Sequence, residues 1–497
     1  MKLKARYYFL MLMRKGDVLF MNMHQKQELS LFAEELYRYM SLATLNQLAI
    51  KAGGMKRKRK CHGHHFLSLC VWLNQQIPTT SLTQLCSQLE TSTGILLSPE
   101  GLNRRFNSDS VTFFRTVFTT LLQAKIGGVS KISHSLSSYF ERILVLDSTT
   151  FQVPDRFATT YPGAGGCSHT AGVKIQLEYN LLSGKFSDVE IEPRKRSNQA
   201  YSATRTGMAQ KNELYIRDLG YFPLVDLDQM DQRGTYYISQ LNLNTNVYMK
   251  NPNPEYFKNG AIKKQSEYIQ IDVKQILKQL QPGETFELKN AYIGDKQLFA
   301  RVIFNRLTDK QLQKQRARIA EKEKSKNRTY LEKSKIIARL NVYVTNTPWE
   351  WVPMEQIYEL YTLRWQIEIV FKTWKSLFKI DHYRNVKRDR LECQLYGKLI
   401  AIFLCSSTMF KMRQLLLQKK KKELSEYKAI GMIQDHLSLL YQAIQRNTHE
   451  ITKVLIRLFH LLQKNGRKSH RYGKKTVFDI MGVVYEYNGL KKQKKVA

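Results

Sequence analysis

Residues 361–376, YTLRWQIEIVFKTWKS, constrain the fold more than any other stretch. At 100° per residue, Tyr361, Arg364, Glu368 and Lys375 fall within about 60° of one another on one side of an α-helix. Leu363, Ile367, Val370, Trp374 and Leu377 take the other side, with Phe371 at the border. The spacing predicts one continuous helix with a buried face and a single polar stripe. Arg364 with Glu368, and Glu368 with Lys372, are four apart, and such pairs ordinarily decorate a solvated face for a few tenths of a kcal/mol each. Here an aromatic hydroxyl, a guanidinium, a carboxylate and an ammonium line up with Trp365 beside them, a set suited to handling phosphodiesters.

A chain of 497 residues is too long for one core, so two or three domains are expected. Lys and Arg outnumber Asp and Glu by 79 to 42, a net charge of +37 that calls for a long polyanionic partner, double-stranded DNA first among them. The longest apolar run, residues 399–405, is far short of the roughly 20 needed to cross a bilayer, so no membrane partner is expected. Six scattered cysteines (Cys61, Cys70, Cys86, Cys167, Cys393, Cys405) show no framework spacing and point to a reducing, cytoplasmic or nucleoid-associated location. The N-terminus has a basic start and a short apolar stretch but no small-residue cleavage site. Residues 1–20 therefore read as an N-terminal extension, with Met21 as an alternative start.

The next region, 21–135, reads as a helical DNA-binding domain. Apolar residues recur at helical spacing over 27–52, followed by the cationic run KRKRK at 56–60, read as a phosphate-contacting arm. Cys61, His62, His64, His65 and Cys70 match no paired zinc-ligand spacing. A helix over 81–90, a short turn and a second helix opened by Ser98-Pro99-Glu100 suggest a helix-turn-helix, with Asn103, Arg104 and Arg105 near the start of the reading helix. Plain bundle packing is an equal alternative.

From Arg142 the texture turns to strands. ILVLDSTTFQV carries Asp147 in an apolar run, VKIQLEYNLLSGKFSDVEIEP reads as a hairpin turning at Ser183-Gly184, and LYIRDLGYF ends a strand in Asp218. Three hairpin-like strands, a helix and a fourth strand describe an RNase-H-like mixed sheet, an α+β or α/β core whose first and fourth strands are neighbours. That places Asp147 and Asp218 together, although a strand-end carboxylate facing water is the ordinary reading of either alone. The core is expected over 136–225 and 339–390, a β-rich insertion with a basic arm (310–335) over 226–338, and a helical C-terminal DNA-contacting or dimerising region over 391–497. Residues 419–422 form a basic patch, and the tail from Lys464 is basic.

Three carboxylates from two strands and a helix can hold two hard cations that activate a water or a 3′-hydroxyl for in-line phosphoryl transfer. Asp147, Asp218 and Glu368 are the expected catalytic metal ligands, for Mg²⁺ or alternatively Mn²⁺. Arg364 and Lys375 would grip phosphates and Tyr361 would donate to a phosphate oxygen.

Tyr361, Arg364, Glu368 and Lys375 reproduce Y-x2-R-x3-E-x6-K, and in this the chain resembles the DDE insertion-sequence transposases of the IS-four type. The carboxylate spacing, GLNRRF and DLGYF resemble the 231-type subgroup. The resemblance implies an RNase-H-like core, Mg²⁺ dependence, cut-and-paste cleavage at terminal inverted repeats and a homodimeric synaptic complex. It also implies a hairpin intermediate whose flipped base stacks on tryptophan, for which Trp365 is the match. A second tryptophan expected in the strand insertion has no counterpart, because no Trp lies between Asp218 and Trp349. Two alternatives share the motifs: an RNase-H-like nuclease that never joins strands, and a DNA-binding repressor without activity.

Overall fold

The computed structural model describes residues 23–483, apart from 54–60, 74–76, 128–131, 166–169, 330–334, 336–337, 469–474 and the single positions 125, 133, 222, 243, 328 and 421. The extension at 1–20, the KRKRK run, Cys167 and the end of the tail lie outside the described residues, as do the side chains of Lys419 to Lys421. Helix α1 (Met23–Met40) buries Leu29, Phe32, Ala33 and Leu36. Helix α2 (Leu82–Thr93) starts on a Ser81 cap and stops at Gly94, whose φ of 70° is the left-handed conformation that closes a helix. The Ser98 hydroxyl accepts from the Gly101 amide and Pro99 opens α3 (Pro99–Arg105), followed by α4 (Ser108–Ala124). Helix α3 has only seven residues, so Asn103, Arg104 and Arg105 sit in its last turn and not near its start. Asn107 bonds the Ser110 amide and restarts the chain as α4, which is why the predicted reading helix is so short.

Strands β1 (Arg142–Gln152), β2 (Gly172–Asn180) and β3 (Phe186–Pro193) form an antiparallel meander. Alternation in β2 sends Val173, Ile175, Leu177 and Tyr179 to one face and Lys174, Gln176 and Glu178 to the other. Both faces are covered, so the whole strand is buried. The hairpin turns at Gly184, φ 65°, where a Cβ would lie 1.9 Å from the Phe410 ring. Helix α5 (Asn198–Thr206) then leads to β4 (Glu213–Arg217), parallel to β1, and α6 (Leu224–Gln232) to β5 (Tyr236–Gln240), parallel to β4. β5 falls within 226–338, expected to be the insertion, yet it pairs with β4 and completes the RNase-H-like order β3-β2-β1-β4-β5.

The intervening strands are β6 (Val247–Lys250), β7 (Tyr268–Gln270), β8 (Thr285–Ile293) and β9 (Leu298–Arg306). Helix α7 (Asp309–Lys326), opened by a Thr308–Gln311 capping box, precedes β10 (Leu340–Thr345). β10 pairs antiparallel with both β5 and β9, so core and insertion share one ten-stranded sheet. From β9, Arg301 Nη1 donates to Thr347 O (2.6 Å) and Val352 O (3.1 Å), tying down the loop beyond β10.

That loop enters α8 (Met354–Thr362) and α9 (Trp365–Ser376). The single helix predicted over 361–376 is interrupted at Leu363 and Arg364. There the amides of Leu363, Arg364, Gln366 and Ile367 each bond three residues back, a tighter turn than the uniform 100° step assumes. Helices α10 (Arg388–Lys420) and α11 (Thr448–Asn465) complete a helical body in which the N- and C-terminal regions pack together. Lys411 Nζ meets Glu28 at 2.6 Å, and Arg115 Nε meets the Tyr396 hydroxyl at 3.0 Å. Helix α10 holds the one stretch among the described residues long and apolar enough to cross a membrane, and 89% of it is buried inside the fold.

Candidate active site

Leu146 pairs with Arg217 in the β1–β4 register, so Asp147 and Asp218 follow at matching positions on adjacent parallel strands, about 4.8 Å apart. Alternation puts Asp147 on the face of Ile143 and Val145, and Asp218 on that of Leu214 and Ile216, the face covered by α8 and α9. Arg217 points the other way.

The junction between α8 and α9 lies over this strand pair. Tyr361 Oη donates to Asp218 Oδ1 at 3.2 Å. Arg364 Nη1 donates to both Asp147 Oδ2 (3.4 Å) and Glu368 Oε1 (3.2 Å). Lys375 Nζ donates to Thr150 O (3.2 Å), three residues along β1 from Asp147. The four signature residues therefore converge with both aspartates. The stripe is not a solvated face: Tyr361 is 7% and Arg364 8% exposed, and Tyr361 is spent on Asp218 where a phosphate contact was expected. Trp365 is half exposed, with the Arg364 guanidinium 5.2 Å from its ring centroid.

Burial pushes the Asp147 carboxyl up to about 6, against the pull of the Ser148 amide and the Arg364 cation. Burial and then the neighbouring Asp218 push the Tyr361 phenol above its ordinary range. Burial works against the Arg364 cation, but Tyr361, Asp218, Asp147 and Glu368 outweigh it and its pKa is raised. Arg364 Nε is buried and has no hydrogen-bond partner among the described residues. A cleft of about 560 Å³ lined by Asp147, Ser148, Glu368, Phe371, Lys372, Lys375 and Ser376 opens beside the carboxylates.

Several supporting residues had no signal in the sequence. The Ser148 amide holds Asp147 Oδ1 at 2.8 Å. On the far face of the sheet, Ser202 donates to the Tyr221 carbonyl, Arg217 Nη1 to Ser202 Oγ (3.0 Å) and Tyr221 Oη to Gln176 Oε1 (3.0 Å). These bonds pin the turn Leu219–Tyr221 that follows Asp218. The aromatic in DLGYF was the visible hint, whereas nothing local marked Ser202. Arg104 is exposed and paired with Glu100, Arg105 donates to Cys61 O at 3.1 Å, and neither is among the residues gathered with Asp147.

No three Asp, Glu, His or Cys side chains are already converged to hold one ion among the described residues. Arg364 lies between Asp147 and Glu368. The residues nevertheless suit a hard divalent cation, since the donors are carboxylate oxygens and three carboxylates face one guanidinium.

An RNase-H-like sheet with one carboxylate within its first strand, one just beyond its fourth and a third on a later helix is the arrangement of the DDE class of phosphoryl-transfer enzymes. A family model described as "Transposase DDE domain" matches residues 138–404. The transposase for insertion sequence element IS231F of Bacillus thuringiensis subsp. israelensis is 66% identical over 478 residues, 96% of this chain and all of the relative. The transposase for IS1151 of Clostridium perfringens is 34% identical over 92% of this chain and 97% of its own. A cryo-EM structure of a piggyBac transposase synaptic complex with hairpin DNA aligns over 90% of this chain and 86% of its own, with TM-score 0.45 and 10% identity. The chain belongs to the DDE transposases, in the IS231 group of insertion-sequence enzymes. It is an enzyme of DNA cleavage and strand transfer, from a divalent-metal-dependent family.

Proposed function

We propose that Asp147, Asp218 and Glu368 are the catalytic carboxylates with which this transposase cleaves the terminal inverted repeats of its element and joins the ends to target DNA. The observation that carries the reading is the hydrogen-bonded set in which Tyr361 and Arg364 reach all three carboxylates. The same three residues would hold the metal, Mg²⁺ in preference to Mn²⁺, which would supply an activated nucleophile and neutralise charge on the phosphoryl group. Tyr361 fixes the Asp218 carboxylate. Arg364, whose Nε is unpartnered among the described residues, would offer a donor to a phosphate oxygen. Lys375 gives a point charge for the backbone beside β1, and Trp365 offers its exposed ring to an unstacked base. In the helical region the exposed Arg104 is the better placed phosphate contact, with Asn103 beside it and Arg105 holding the Cys61 carbonyl. A homodimeric synaptic complex and a cytoplasmic, nucleoid-associated location complete the reading.

The test is incubation of purified protein with DNA carrying the element ends, with and without Mg²⁺, for the native chain and for Asp147→Asn, Asp218→Asn and Glu368→Gln. Each variant should bind end DNA but lose cleavage by more than about a hundredfold, beyond what losing a supporting residue costs a metal site. Cleavage retained by any of them overturns the assignment.

A further inference from the structure

Helix α7 is very polar and projects cations on every side, and one of its faces looks across a cavity at the rest of the fold. Gln311, Lys314, Gln315, Arg318, Ile319 and Lys322, at helical spacing, line a cavity of about 450 Å³. Its opposite wall comes from β10 and the α8–α9 junction and includes Tyr358, Tyr361, Arg364 and Trp365. The helix is joined to that wall through Gln311 Nε2 and the Tyr358 hydroxyl (3.4 Å).

Lys314, Arg318 and Lys322 recur every four residues, about 6 Å apart along the axis, and Glu321 and Glu323 are not among the cavity-lining residues. No carboxylate lines the cavity, and none of the three cations is paired with an acid among the described residues. A face of aligned cations opposite an exposed indole is the chemistry that holds an unpaired nucleic-acid strand, with phosphates on one wall and base faces on the other. The volume suits nucleotide-sized groups and is too small for a duplex. Arg364 lines the cavity and also bonds Asp147 and Glu368, so the cavity borders the carboxylates.

We propose that α7 is one wall of a binding cleft for an unpaired DNA strand, with Lys314, Arg318 and Lys322 as its phosphate contacts. The assignment rests on the reading of this centre as the place of phosphodiester chemistry. Duplex DNA would be held elsewhere, by the helical body.

Binding in the absence of metal tests this without catalysis. The full chain and the triple variant Lys314→Gln, Arg318→Gln, Lys322→Gln are titrated by fluorescence anisotropy against a blunt duplex and the same duplex with a short unpaired overhang, over a range of salt. The triple variant should melt like the native protein, lose about tenfold or more in affinity for the overhang, and show a log–log salt slope shallower by about 2. The blunt duplex should change less than about twofold. Trp365→Ala should weaken overhang binding with the salt slope unchanged. An equal loss on both DNAs, or no loss on the overhang, overturns the proposal. Asp147→Asn should keep the overhang preference, so failure of the catalytic assignment is distinguishable from failure of this one.

Discussion

The two faces of the β1–β2–β4 sheet each carry a cluster of arginine and carboxylate, and the clusters are built in opposite ways. On the α5 face, Arg205 grips Glu178 with two nitrogens (2.6 and 3.2 Å), while Arg217 bonds Ser202 and Thr206 at 3.0 and 3.3 Å. Glu178 and Arg217 are fully buried there. On the α9 face, Arg364 splits one nitrogen between two carboxylates at 3.2 and 3.4 Å and has a cleft on either side. Adjacent residues, Arg217 and Asp218, belong one to each cluster. A fully buried cluster clamped by a bidentate pair holds shape, whereas one that borders open clefts can exchange partners, and exchange is what a site for metal and phosphate requires.

The sharpest way to break this contrast is to remove one arginine from each face. Arg205→Ala leaves Glu178 buried without its bidentate partner and should destabilise the protein by about 3–5 kcal/mol in urea denaturation. Arg364→Ala should cost about 1 kcal/mol, since its carboxylates border open clefts, while lowering cleavage by about a hundredfold or more. Equal stability losses would erase the distinction.

A second test concerns pH. The raised Asp147 pKa means the folded state keeps a proton that the unfolded chain has released. Between pH 4 and about 6 the unfolded state therefore binds fewer protons, and stability falls as pH rises through that window. Asp147→Asn cannot ionise, so in chelator it should gain on the order of 2 kcal/mol relative to native between pH 4 and pH 7, followed by thermal melts. A constant difference across that range would show that the α9 cluster is as well compensated as its counterpart. Arg364→Lys keeps charge but loses the planar fork and should cut cleavage roughly tenfold. The smallest effect is expected for Tyr361→Phe, about 1 kcal/mol in stability from one hydrogen bond to Asp218.

The α9 cluster was largely legible because its residues follow a helical period and its aspartates lie in or just after strands of apolar character. The strand order followed from the same alternation. What escaped notice depends on contacts that no local period encodes. The turn at Leu363 and Arg364 interrupts a pattern that reads as continuous, because its cause is the docking of Tyr361 and Arg364 on the sheet. Helix α3 ends early because Asn107 recaps the chain three residues before Ser110. The α5-face cluster brings Glu178, Ser202 and Arg217 together from segments whose polar residues look like ordinary solvated positions. β5 was assigned to the insertion because nothing in a short strand reveals which neighbour it pairs with.

Strand β10 has a mechanical consequence. It is bonded along one edge to the core and along the other to the insertion, and Arg301 clamps the loop it feeds into α8. The outer strands are thus the long arm of a stiff lever whose short arm is the Tyr361–Asp218 contact. A load applied at β8 or β9 reaches that contact through the backbone hydrogen bonds on both edges of β10.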